Sequence, residues 1–179
     1  MHFPVPRVPR QPAPGPIGSG AGLSEELAPV VAGARRRALR DGDRLIDTAH
    51  LLHSLLESEP EVRAAFGGPD QVARVLGYLV QRSIGYGLRW QATVESSGAA
   101  PVVPAGRGSG RSGWSPSAAA AVVRARERAA GRGAPRAGGL DLLAELAADR
   151  DSRAVEVLAH AGVDPERLAG RIGELSQQV

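Results

Sequence analysis

The sequence contains no cysteine and no lysine, and it has only one methionine and two residues each of Trp, Tyr and Phe. Without cysteine there can be no disulfide, no thiolate metal site and no cysteine nucleophile. A Walker phosphate-binding loop needs a lysine, so the chain cannot be an ATPase of that class. The few aromatic side chains offer little surface on which the bases of a single-stranded nucleic acid could stack.

The charge balance is modest although the isoelectric point is high. Arg supplies all 22 basic residues against 19 acidic ones, which gives a formal net charge of +3. The isoelectric point of 10.4 partly reflects the high pKa of guanidinium and is not evidence for a nucleic-acid partner. The densest basic patch is Arg35, Arg36, Arg37 and Arg40. Such a patch could contact phosphates, so an Arg-rich helical DNA-binding regulator is the alternative function.

No apolar run approaches the length of a membrane span, and prolines interrupt the first residues where a signal peptide would need an apolar stretch. We therefore expect a cytoplasmic protein that does not enter a membrane.

Pro- and Gly-rich tracts divide the chain. Residues 1–22 form a Pro/Gly-rich tail, and residues 96–113 form a Gly/Ser/Pro-rich linker. Both have too few apolar side chains to offset the entropy of ordering, so we predict that they are disordered. They leave two segments to fold, residues 23–95 and residues 114–179.

The first folded segment predicts four helices. Ser24 is a candidate N-cap for a helix that should end near Gly42, and Thr48 is a candidate N-cap for the second. A short third helix would carry Val62, and Asp70 could cap the fourth. The apolar residues recur at the spacing of a helix with one buried face.

The second segment repeats this order. Ser115 followed by Pro116 predicts a helix start, and Gly133 a helix end. Asp164 followed by Pro165 predicts the start of the last helix. The apolar residues of the helices between them are Leu142, Leu143, Leu146, Val155, Leu158 and Ala159.

A constant offset relates the two segments. Ser115 follows Ser24 by 91 positions, and the same separation holds for Gly42 with Gly133 and for the leucine pairs Leu51/Leu142, Leu52/Leu143 and Leu55/Leu146. In the last helix the separation grows to 96, as for Val72 and Leu168. The sequence therefore predicts an internal duplication with a longer connection in the second copy.

The polar residues show no catalytic pattern. His50 and His53 could share a helical face, but no third ligand accompanies them, so we interpret them as packed or capping residues and expect no metal and no cofactor. Asp141 and Glu145 are interpreted as solvated charge. We expect Trp114 to anchor the end of the linker on the helical body, as Trp90 would at the other end, and we predict no enzymatic activity.

One motif resembles a known family. Residues Ile46-Asp47-Thr48-Ala49-His50-Leu51-Leu52 with Leu55-Leu56, and Ala161-Gly162-Val163-Asp164 with Leu168, resemble the amino-terminal repeat domain of Clp unfoldases. The resemblance covers about residues 23–82 and 114–176. It implies an all-α, eight-helix, pseudo-twofold domain made of two tandem four-helix repeats. It also implies recognition of substrates, adaptors or small cyclic peptides for an ATP-driven unfoldase. Because the chain has no lysine for a Walker loop, we expect a freestanding recognition domain without the motor.

The resemblance also implies candidate binding residues. In ClpC-type members each repeat can bind phosphoarginine through a hydroxyl at the start of the first helix and a glutamate in the second. Ser24 and Ser115 match the hydroxyls, whereas Ala49 and Leu140 stand where the two glutamates would be. Because the acceptors for the guanidinium are missing, the resemblance predicts that these four positions have lost phosphoarginine binding.

The sequence thus predicts a non-catalytic protein- or peptide-binding module related to the recognition domain of Clp proteases. An adaptor, a regulator and a decoy that sequesters ligands remain open as its role. Its partners would be proteins or peptides, including Clp components or their substrates, and not nucleic acid.

Overall fold

The computed structural model describes residues 23–84, 95 and 113–178. The predicted tail, residues 96–112 of the predicted linker, and Trp90 lie outside the described residues. The described part contains eight helices and two short strands. They are α1 (Leu27–Asp41), β1 (Leu45–Ile46), α2 (Thr48–Ser58), α3 (Pro60–Ala64), α4 (Pro69–Ser83), β2 (Gly113–Trp114), α5 (Pro116–Gly131), α6 (Gly139–Ala148), α7 (Arg153–His160) and α8 (Pro165–Ser176).

Several helix ends lie where the sequence predicts them. The Ser115 hydroxyl accepts a hydrogen bond from the Ala118 N–H at 3.1 Å and so caps α5. The Asp164 carboxylate caps α8, because it accepts hydrogen bonds from the backbone N–H groups of Glu166 and Arg167. Gly42 and Gly133 both have φ of 76°, a left-handed conformation that ends α1 and follows α5. These predictions are confirmed.

The predicted cap at Ser24 is wrong. Helix α1 begins at Leu27, and its N-cap is Glu26, which forms no side-chain capping bond. The Ser24 N–H instead donates to the Ala137 carbonyl at 3.0 Å. This contact ties Ser24 to the other repeat, two residues before the N-cap of α1.

The caps predicted for α2 and α4 are each displaced. Asp47, not Thr48, caps α2, and its carboxylate accepts from the His50 N–H at 2.9 Å. Thr48 and Asp47 are adjacent and both are good capping residues, so propensity alone could not choose between them. Helix α4 has Gly68 as its N-cap, and Asp70 lies inside its first turn.

The duplication is confirmed by the fold. The leucines matched by the offset, Leu51, Leu52 and Leu55 in α2 and Leu142, Leu143 and Leu146 in α6, are all fully buried. Helix α1 packs along α2 as α5 packs along α6. One core runs through both repeats, and Trp114 packs against it, as predicted.

Short parallel contacts join the two repeats. Strand β1 pairs with β2, with Ile46 opposite Trp114, while Leu23 forms an isolated bridge with Ala137. These two contacts are related by the offset of 91, because Leu23 corresponds to Trp114 and Ile46 to Ala137. Each repeat therefore pairs the entry to its own first helix with the other repeat, which is the geometry of a pseudo-twofold domain.

Candidate functional site between the two repeats

A buried carboxylate from outside the helices joins the two repeats at Ser115. The Ser115 hydroxyl donates to Glu95 Oε1 at 2.8 Å, and the Thr48 N–H donates to the same oxygen at 2.6 Å. Glu95 Oε2 accepts from the Thr48 hydroxyl at 2.7 Å and from the Arg153 N–H at 2.9 Å. Glu95 is 7% exposed. We call these four residues the Glu95 clasp.

The clasp uses the starts of three helices. Thr48 and Arg153 are the first residues of α2 and α7, and Ser115 caps α5. Backbone N–H groups at helix starts have no partner within the helix and carry the positive end of the helix dipole, so they stabilise a carboxylate. Each oxygen of Glu95 accepts one hydrogen bond from such an N–H group and one from a hydroxyl. Both carboxylate oxygens are therefore bound within the protein and are not available to a ligand.

A charged network lies beside the clasp. Asp47 is buried, and its Oδ2 forms ion pairs with Arg82 of α4 and, at 2.6 Å, with Arg153 of α7. Burial alone would raise the pKa of the Asp47 carboxyl. The hydrogen bond from the His50 N–H and the charge of Arg82 outweigh burial and hold this pKa well below its usual range. Asp47 therefore stays ionised and ties both repeats together.

The side chains of Asp41, Asp43 and His50 form a cluster with the donor types of a metal site. His50 Nε2 lies 3.2 Å from Asp43 Oδ2 and 3.6 Å from Asp41 Oδ2. The other ring nitrogen, Nδ1, accepts a hydrogen bond from the Asp47 N–H at 3.1 Å. Asp47 Oδ1 is also close, at 2.9 Å, but it already accepts from the His50 N–H.

The backbone donor fixes the tautomer of this histidine. Since Nδ1 accepts from an N–H, the ring proton lies on Nε2, which faces the two carboxylates. A histidine that binds a metal through Nε2 normally donates from Nδ1. The arrangement therefore fits a hydrogen-bonded capping histidine, as interpreted from the sequence, better than a metal ligand.

His53 lies one turn further along α2 and is also buried. Burial lowers the pKa of His53 to about 4, and the neighbouring Arg37 and Arg40 guanidiniums act in the same direction against the opposing carboxylates of Glu57 and Asp41. The imidazole is therefore neutral at physiological pH. Its Nε2 lies 3.3 Å from Glu57 Oε1.

This depressed pKa predicts a pH dependence. The unfolded chain, with a histidine pKa of about 6.5, binds more protons than the folded chain between pH 6.5 and 4, so stability falls as the pH is lowered through that window. We expect His53→Gln to remove roughly 1 kcal/mol of the decrease, as measured by denaturant unfolding at a series of pH values. His160→Gln, at an exposed histidine, controls for the substitution itself. The same decrease with and without His53 would contradict the assignment.

The counterpart of the clasp in the other half of the molecule is different. The Ser24 hydroxyl is buried and has no hydrogen-bond partner among the described residues. Gly139 corresponds to Thr48 and has no hydroxyl, and α3 begins with Pro60, which has no N–H to offer. Burial raises the pKa of nearby Glu59, and the charges of Glu26 and Glu61 raise it further. This half therefore offers a buried carboxylate fewer hydrogen-bond donors than the Glu95 clasp does.

The four residues predicted from the resemblance lie close to the repeat interface, but most are not exposed. Ala49 is fully buried and Leu140 is 5% exposed, so both belong to the core. Ser115 is occupied by the clasp, and Ser24 is half-buried. Whether these positions bind a ligand stays a prediction.

Two acidic residues predicted to be solvated are not. Asp141 is 2% exposed and pairs with Arg132 from the end of α5, with Arg132 Nη2 at 3.0 Å from Oδ2. It also accepts from the Gly138 N–H at 3.0 Å, so it fixes the start of α6. Glu145 pairs with Arg124 at 3.2 Å. The interpretation failed because both partners come from α5, which sequence spacing within α6 cannot show.

Among the residues that the structure describes, no Ser or Thr hydroxyl forms a hydrogen bond with a histidine, as a nucleophile and its base would. No described helix is both long and apolar enough to cross a membrane.

Known structures identify the architecture. The chain is similar to the N-terminal domain of the caseinolytic protease associated chaperone ClpD from Arabidopsis thaliana, with a TM-score of 0.62 and 15% identity over 89% of this chain and 97% of that chain. The fold is that of a Clp amino-terminal domain. A structure from work on a malarial protein secretion system is similar over 89% of this chain and 98% of that chain, with a TM-score of 0.60 and 12% identity. Neither a known protein family nor a curated protein matches the sequence.

The sequence does not reveal the role of Glu95, which lies at the end of the first segment and contacts both repeats. Its partners come from three separate helices, so no local spacing marks it. The Ser-Pro pair at residues 115 and 116 is the part of the interface between the repeats that the sequence reveals, because capping is local.

Proposed function

We propose that this chain is a non-catalytic module that binds proteins or peptides, with the recognition role that the resemblance to Clp amino-terminal domains implies. The observation that supports it is the eight-helix fold, which is similar to a Clp amino-terminal domain with a TM-score of 0.62 in an alignment that covers 89% of this chain. In this proposal the chain acts as an adaptor, a regulator or a decoy for a Clp protease, and performs no unfolding itself because it lacks a lysine for a Walker loop.

The proposal also includes what the chain does not bind. Phosphoarginine recognition is lost at the Ser24 and Ser115 positions, because Ala49 and Leu140 provide no carboxylate. Glu95 does not replace them, since both of its oxygens are already hydrogen-bonded to the protein. Nucleic acid is not the partner, because the net charge of +3 is small.

An affinity capture tests this function. The purified chain is immobilised and exposed to a lysate of its source organism, and a short DNA duplex is offered separately at increasing salt. We expect recovery of Clp components or their substrates, and loss of the duplex at modest salt. Duplex binding that survives high salt and depends on base sequence, with no protein recovered, would favour the DNA-binding alternative instead.

A further inference from the structure

A basic cavity lies on the first repeat, on the face between α1 and α2. Its volume is about 310 Å³. Its walls include the guanidinium-bearing residues Arg36, Arg37 and Arg40 of α1, and Ser54 and Glu57 of α2. None of the residues that line it is aromatic or a large aliphatic residue. The cavity is therefore suited to a charged group and not to an apolar one.

The charges in this cavity are not balanced. Arg37 forms an ion pair with Glu57, which also faces the neutral ring of His53. Arg36 and Arg40 are exposed and form no ion pair with any residue that the structure describes. Two guanidiniums thus remain open toward the cavity, and guanidinium groups bind carboxylates in paired hydrogen bonds.

An unpaired hydroxyl lies at the bottom of the cavity. Ser54 is only 2% exposed, and its hydroxyl has no hydrogen-bond partner among the described residues. A buried polar group normally has a hydrogen-bond partner, so this hydroxyl is available to donate to a ligand. Gly33 lies against it, since a Cβ at residue 33 would come within 2.9 Å of Ser54 Oγ. The missing side chain helps to keep the cavity open.

In the second repeat, side chains fill the position that corresponds to this cavity. By the offset of 91, Arg124 corresponds to Gly33 and Glu145 to Ser54. These two side chains form an ion pair at 3.2 Å. Glu127 stands at the position of Arg36 there. The open basic cavity is therefore a property of the first repeat and not a consequence of the repeat fold.

We infer that the Gly33–Ser54 cavity binds the carboxylate side chains of an acidic peptide in an extended conformation. Arg36 and Arg40 are four residues apart on one helix, so their Cβ atoms are about 6 Å apart. Alternate side chains of an extended peptide are about 7 Å apart on one face. An acidic residue at every second position would therefore present carboxylates at the spacing of these two guanidiniums.

The cavity favours a peptide over a nucleic acid. It is a small concave site of about 310 Å³, which holds one or two side chains and not a duplex. It offers no ring on which a nucleic-acid base could stack. The inference rests on the proposed function, because it names the chemical class of the peptide that the module would bind.

The test uses the full chain and a fluorescein-labelled peptide of alternating glutamate and glycine, with a second peptide in which glutamine replaces glutamate. Fluorescence anisotropy gives the Kd. We expect the acidic peptide to bind at least tenfold more tightly than its glutamine counterpart. The double variant Arg36→Ala with Arg40→Ala should weaken binding at least tenfold. Arg74→Ala with Arg150→Ala removes the same charge from exposed positions elsewhere and should leave the Kd within twofold.

A second variant closes the cavity without changing the net charge. Gly33→Arg with Ser54→Glu transfers the pair found in the second repeat, and we expect at least a tenfold loss of acidic-peptide binding while circular dichroism shows the helices retained. Equal binding of both peptides, or equal loss in the cavity and control variants, would overturn the inference while the capture experiment could still support the proposed function. Binding of a DNA duplex that needs Arg36 and Arg40, without peptide binding, would also overturn it.

Discussion

We expect Asp47→Asn to lower the free energy of unfolding by about 3 kcal/mol at neutral pH, because it removes a buried negative charge from between two guanidiniums. Arg82 and Arg153 both pair with Asp47 Oδ2, and their side chains are 8% and 11% exposed. Asparagine remains a good N-cap for α2, so the substitution isolates the charge from the cap. Denaturant unfolding followed by circular dichroism measures the change.

Asp164→Asn is the matched control. Asp164 also caps a helix, but its side chain is 54% exposed, and its ion-pair distance to Arg167 is long, at 3.9 Å. Exposed pairs of this kind contribute little, so we expect a change of no more than about 0.5 kcal/mol. Equal effects of the two substitutions would show that Asp47 acts only as a cap.

Glu95→Ala is expected to lower the free energy of unfolding by about 2 to 4 kcal/mol, since removing one partner leaves buried donors without an acceptor. The donors are two backbone N–H groups, of Thr48 and Arg153, and the hydroxyls of Thr48 and Ser115. They belong to both repeats, so amide hydrogen exchange of Arg153 should accelerate together with that of Thr48.

Two further variants serve as controls for Glu95→Ala. Glu95→Gln keeps the size of the side chain but replaces one acceptor oxygen with a donor, so its effect should be smaller than that of alanine but still measurable. Glu127→Ala, at an exposed position on α5, should change stability by no more than about 0.5 kcal/mol. If Glu95→Ala were no more destabilising than Glu127→Ala, the clasp would not stabilise the domain.

The sequence was sufficient for features that depend on local spacing. The offset between Leu51 and Leu142 predicted two copies of one helical unit, and both residues are fully buried in corresponding helices. Ser115 and Asp164 were predicted as caps because a hydroxyl or carboxylate followed by proline satisfies the first turn of a helix. Local hydrogen bonding decides such positions, so tertiary structure did not change them.

The predictions failed where a distant residue decides the local structure. Ser24 does not cap α1, because its N–H is bound to Ala137 in the other repeat. Asp141 is not solvated, because Arg132 reaches it from another helix. Glu95 bonds to partners far apart in the chain, and periodicity carries no information about such contacts.

The basic cavity could have been predicted in part. The patch of Arg35, Arg36, Arg37 and Arg40 was visible in the sequence, and so was the replacement of Gly33 by Arg124 between the repeats. What the sequence could not show is that Gly33 faces Ser54 across the α1–α2 contact. That contact turns a basic helix face into a cavity with a buried hydroxyl.

We propose that this Clp-like fold recognises polypeptides and not nucleic acid. Panning a library of random short peptides against the immobilised full chain, with an equal selection from random DNA duplexes at the same salt, tests it most directly. We predict that peptides related in sequence are enriched over a blank surface and that no duplex is. Enrichment of duplexes with a shared base sequence, and of no peptides, would contradict the claim.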